Sequence, residues 1–112
     1  MNKINPDLIR LRDILSAIDD IESFYSRGLE DKAIINAICY SIAIIGEAAN
    51  KLSKNITERN QDIPWFAVIG MRNRIIHEYS GVSKDRIQEV IEDDIPYLKS
   101  RIIEIIEGIN AK

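Results

Sequence analysis

Arg72, Asn73, Arg74, His77 and Tyr79 fall within the run Gly70–Tyr79, and His77 is the only histidine in the chain. No other stretch concentrates polar chemistry this way. An imidazole titrates near neutral pH and can give or take a proton. A guanidinium holds phosphate oxygens in a planar fork. Together they point to phosphodiester chemistry on a nucleic acid, with the phenol as a nearby handle.

The run reads as the end of a helix, which sets the geometry. Side chains four apart share a face and those seven apart nearly coincide, so Asn73 and His77 form one row and Arg72 and Tyr79 another. Arg72 and His77, five apart, are separated by about 140° on an ideal helix. A one-face site therefore needs a distorted helix end, an arginine folded over, or a two-fold axis that wraps the site around both rows. The axis is the favoured reading, for a chemical reason. Cleaving RNA through its own 2′-hydroxyl needs one group to remove that proton and another to protonate the leaving oxygen. One chain carries one histidine; two chains about an axis supply two, with two copies of Arg72 for the charge developing on phosphorus. Arg74 would then bind flanking phosphates, and Asn73 would orient the imidazole or the phosphate. A plainer account stands beside this one. A histidine in a last helical turn meets the helix dipole and caps carbonyls, its arginines are solvated, and Tyr79 is a half-buried core residue.

The elements that must position these groups are helical. Asn5-Pro6 opens a first helix as cap and first helical residue. Leu8, Leu11, Leu15, Ile18, Ile21 and Tyr25 follow at three- and four-residue spacings, and Ser26-Arg27-Gly28 ends it. A second helix is expected from about Leu29 to Ser53. Thirteen of the seventeen residues in Ala33–Ala49 are apolar, so it is covered on several sides. Gly46, Ala48 and Ala49 would allow close approach, either to a second subunit or at an internal helix crossing. A polar connection with a turn of helix at Thr57–Asn60 leads to a third helix from Pro64 to about Ser80-Gly81. Ser83 caps a fourth. Its stripe of Ile87, Ile91, Ile95, Leu98, Ile102, Ile105 and Ile109 keeps one phase, with a kink or brief break expected at Asp93–Pro96. The class is all-α: one domain over residues 1–112, an up-and-down bundle of four to five helices with a C-terminal helix kinked at Pro96.

Composition narrows the rest. Fifteen Lys and Arg against eighteen Asp and Glu give a net charge of -3, which argues against a general polyanion binder. In Met71–Arg86, however, four cations face two carboxylates, a local patch able to steer one phosphate. The single cysteine, Cys39, excludes an internal disulfide, fits a reducing compartment and reads as a buried, inert thiol. One His and one Cys argue against a zinc site, and no metal or other cofactor is expected. Met1–Pro6 has no apolar core of a signal peptide. Ala33–Ala49, interrupted by Asn36, Ser41 and Glu47, is shorter than a membrane span. A cytoplasmic protein without membrane contact is expected.

Four stretches carry a likeness to a known family. They are Leu11–Ile18, Ile44–Ala49, Ile63-Pro64-Trp65 with Ile69–His77, and Asp94-Ile95-Pro96-Tyr97-Leu98. The chain resembles the HepT-like ribonuclease toxins of the HEPN superfamily, small all-α proteins of prokaryotic toxin–antitoxin pairs. Their motif, Arg-x-x-x-x-His-x-Tyr, is filled by Arg72, His77 and Tyr79. The resemblance implies a homodimer whose two Arg72/His77 pairs line one cleft and cleave RNA without a metal. It also implies a partner, a minimal nucleotidyltransferase antitoxin of the MntA type that adds AMP to Tyr79, which belongs on a helix end or turn. Glu47 is either a carboxylate reaching the cleft to hold an arginine or a surface or interface group. The connection Ser26–Asp31 is shorter than in many relatives, so contacts that such a loop makes elsewhere are not carried over. Two other readings share these residues: a non-catalytic helical module that binds a nucleotidyltransferase, and a dimerising scaffold with a vestigial motif.

Overall fold

The computed structural model describes residues 4–77 and 81–111, with the backbone alone described at His77. Helix α1 (Pro6–Tyr25) begins where Asn5 Oδ1 accepts from the N–H groups of Asp7 and Leu8 at 2.9 and 3.3 Å. It leads through Gly28, at φ +86°, into α2 (Lys32–Asn50), capped by the Asp31 carboxylate. That cap places the start of α2 three residues later than hydrophobicity alone indicates. Four short helices follow: α3 (Lys54–Arg59), α4 (Trp65–Ile69), α5 (Met71–Ile75) and, after a small hairpin, α6 (Lys84–Glu89). A π-helical turn (Val90–Asp94) joins α6 to the long α7 (Ile95–Asn110).

The bundle is elongated, 48 × 24 × 22 Å, with α1 packed against α2 and α7, and α2 against α4 and α5. Its core is aliphatic. Leu11, Ile14, Ile18 and Ile21 of α1, Ile38, Ile42 and Ile45 of α2, and Ile87, Ile95 and Ile102 of the last helical path are all sealed from solvent. The C-terminal isoleucine stripe holds its phase as expected. In place of a break, the chain widens by one residue just before Pro96, and the Ile95 N–H donates to the Val90 carbonyl five residues back. Proline removes a donor and crowds the preceding turn, and a π turn accommodates both without interrupting the helix.

Helix α2 is 19 residues long and apolar enough to cross a bilayer, longer than its sequence interruptions imply. Half of it is buried in the bundle, and its apolarity is that of a central helix. Gly46 explains the small residues: a Cβ there would lie 2.8 Å from the Ile69 carbonyl oxygen. Gly46 serves an internal crossing of α2 with α4, and Ala48 and Ala49 are buried in the core.

The third helix departs most from expectation. It is not one helix from Pro64 to Ser80 but two five-residue helices hinged at Gly70, and regular helix ends at Ile75. Ile76–His77 (β1) pairs antiparallel with Gly81–Val82 (β2), Ile76 opposite Val82 and His77 opposite Gly81. The Ile75 carbonyl accepts from the Ser83 N–H at 2.8 Å, a partner outside the helix. Gly81, at φ +78°, adopts a conformation that side chains resist. Two consecutive β-branched residues favour the switch. His77 therefore sits on a strand, and its expected helical row with Asn73 does not form.

Candidate functional site

Helix α5 presents its polar residues in two directions. Arg72 and Asn73 are exposed and line a cleft of about 220 Å³ against α2, whose floor and far wall are Ala43, Gly46, Glu47 and Asn50. The close crossing at Gly46 creates it: because Ile69 rests on a glycine, α5 emerges one turn later beside the polar edge of α2. The Arg72 guanidinium is near enough to α2 to act on Cys39. That thiol is half-buried, less enclosed than its apolar surroundings suggest. Burial pushes its pKa up, and the Arg72 charge works in the opposite direction.

Arg74 points elsewhere. It forms an ion pair with Asp94 of the π-helical turn and lines a separate cavity with Pro64, Met71, Tyr97 and Leu98. Arg86 reaches Glu89 at 4.0 Å. Two of the four cations that made Met71–Arg86 basic are thus committed to carboxylates. Arg72 joins no ion pair among the described residues. A guanidinium exposed in a cleft without a carboxylate partner is available to an anion.

Of the residues singled out from sequence, the fold gathers Arg72, Asn73 and Glu47 in one cleft and turns Arg74 to another. His77 lies two residues past the end of α5, on β1. Tyr79 and its expected place on a helix end or turn lie outside the described residues. Two contributors escaped the sequence reading. Asn50 lies one helical turn beyond Glu47, and the spacing 43, 46, 47, 50 marks one stripe of α2 facing α5. Asp94 was noticed beside the expected kink and in the last of the four stretches of likeness, but not as the partner that fixes Arg74. A carboxylate in a proline-widened turn was the signal.

A face with exposed apolar side chains accompanies the cleft. Phe66 is 93% exposed, Tyr40 70% and Ile69 39%, and Ile69 itself lines the cleft.

Comparison with known proteins gives a consistent answer. A family model described as Ribonuclease HepT-like matches residues 14–105. Two proteins of Methanocaldococcus jannaschii, named Putative RNase MJ0125 and Putative RNase MJ1216, are each 36% identical over 107 residues, covering 91% of this chain and 92% and 88% of theirs. A protein of Thermococcus cleftensis named Probable ribonuclease HepT is 33% identical over 96 residues, covering 81% of this chain and 87% of its own. No solved structure matches.

Proposed function

We propose that this chain, which belongs to the HepT-like ribonuclease family, is a metal-independent endoribonuclease, the toxin of a prokaryotic toxin–antitoxin pair. The observation that carries the reading is Arg72, exposed in the α2/α5 cleft and joined to no carboxylate among the described residues, five residues before the only histidine. In the proposed reaction an imidazole takes the proton of the 2′-hydroxyl, and that oxygen attacks the adjacent phosphorus. The bond from phosphorus to the 5′-oxygen breaks, leaving a 2′,3′-cyclic phosphate. A second imidazole protonates the departing 5′-oxygen. Arg72 meets the negative charge gathering on the phosphoryl oxygens, and Asn73 orients phosphate or imidazole. Arg74, anchored by Asp94, serves phosphates outside this cleft.

Two imidazoles require two chains. The exposed Tyr40, Phe66 and Ile69 beside the cleft support a homodimer that brings both Arg72/His77 pairs together. Control is proposed at Tyr79. A nucleotidyltransferase antitoxin directs the phenol oxygen onto the α-phosphorus of ATP, pyrophosphate leaves, and each AMP places bulk and a negative phosphodiester close to Arg72. Such a protein works in the cytoplasm, where RNA and ATP are present.

The test is cleavage of an RNA oligonucleotide by the purified chain in excess chelator. His77→Ala should lower the rate by at least about 10²-fold, the typical contribution of a positioned acid or base, while the dimer persists. Undiminished cleavage in that variant would remove His77 from the mechanism; a parent chain that binds but never cuts is the non-catalytic module. Tyr79→Phe should still cut RNA but gain no AMP from the proposed nucleotidyltransferase antitoxin and ATP, read by intact mass. Lost cleavage would make Tyr79 catalytic rather than regulatory.

A further inference from the structure

Glu47 belongs to two clefts. On one side it faces Arg72 and Asn73; on the other it shares a smaller recess of about 90 Å³ with Arg10, Asp13 and Lys51. The two recesses flank Glu47 on α2 and share that one carboxylate. Arg10 and Lys51 join no ion pair among the described residues, although Asp13 and Glu47 line the same recess. Arg10 is partly buried, so its stem is held against the protein while its charge remains available. Across the two recesses three cations that join no ion pair among the described residues stand with two carboxylates, on a chain whose net charge is -3.

We propose that these clefts form one groove for single-stranded RNA, in which Arg10 and Lys51 hold a phosphate flanking the one gripped by Arg72. The assignment rests on the ribonuclease reading and extends it to substrate length and direction. Glu47 sets the register. A carboxylate repels phosphate and accepts a hydrogen bond from a ribose hydroxyl, so a sugar crosses it, with a phosphate on either side. Residues 44, 47, 48 and 51 each follow 43, 46, 47 and 50 by one position, about 100° around α2, which directs the strand across α2 at Glu47 toward the N-terminal half of α1.

Binding of a labelled hexanucleotide RNA to the full chain carrying His77→Ala, which should not cut it, tests the groove. Anisotropy would be followed from low to physiological salt. Arg10→Gln with Lys51→Gln should weaken binding about tenfold at low salt and reduce the slope of log affinity against log salt by about 0.7, the value for one phosphate on a single strand. The affinity gained from dinucleotide to hexanucleotide should largely disappear in that variant. Arg27→Gln with Lys32→Gln removes equal charge from the α1–α2 connection and the N-terminal end of α2 and should leave the slope unchanged. An unchanged slope in the first pair, or equal weakening in both pairs, overturns the groove. Cleavage by the parent chain is scored separately: binding that behaves as expected without any cleavage upholds the groove and refutes the ribonuclease.

Discussion

Asp62 is the hub of a cluster that fastens α7 to the loop before α4. Its carboxylate accepts from Arg101 Nε at 2.7 Å and from the Tyr97 hydroxyl at 2.5 Å. The second Arg101 amino group reaches Asn60 Oδ1 at 2.7 Å. The guanidinium bond, then the phenol, hold the Asp62 pKa down to about 2, below its ordinary 3.8. A carboxylate whose pKa is depressed by folding contributes stability above its unfolded value and loses it as pH falls through the folded one. The cluster should therefore weaken between about pH 4 and pH 2. Thermal midpoints of the parent should fall more steeply over that window than those of Asp62→Asn. Parallel curves would mean the bonds do not persist in solution. Because the group is exposed, the effect is expected to be modest.

Among the elements, the crossing of α2 and α4 does most to shape the candidate cleft, and it depends on one absent methyl. Gly46→Ala would put a Cβ 2.8 Å from the backbone oxygen of Ile69, which no rotamer change relieves. A loss of about 1–3 kcal/mol, the usual cost of overpacking, is expected, together with weaker RNA binding as α5 shifts. Gly108→Ala, with open space around it, should stabilise by about 0.5–1 kcal/mol on helix propensity. Calorimetry on the pair checks both signs; a neutral Gly46→Ala would mean α4 moves freely. The same elements show what a sequence can tell. The stripes of α1, α2 and the C-terminal path were legible because each is long and regular, and packing could only confirm the phase. The run Pro64–Gly81 was not. Its residues suit a helix, and only Gly70, the paired β-branched residues and Gly81 hinted at a hinge and a hairpin. The site was legible as a list of residues but not as a place: nothing in the spacing shows Arg74 turning to Asp94 or Arg72 turning to α2.

At the scale of the whole molecule, the question is whether one chain is enough. A stable interface buries about 800 Å² per partner, a small share of the 7236 Å² that this chain exposes. Ile69 lines the cleft, and Tyr40 and Phe66 are exposed on the same two helices, α2 and α4; the proposed two-fold axis there would cover apolar surface and bring a second Arg72/His77 pair to the first. Phe66→Asp alters a side chain that is 93% exposed. It should leave the fold intact, shift light scattering toward monomer and lower cleavage in the same proportion. A mixing experiment reads the chemistry directly. If each site needs both histidines, equal amounts of parent and His77→Ala chains, allowed to exchange partners, should retain about one quarter of the parent activity, since random pairing in a closed dimer leaves only that share of intact sites. If each chain works alone, half the activity should remain, and the composite site would have to be abandoned in favour of a second group from the same chain, with Glu47 a carboxylate that lines the Arg72 cleft.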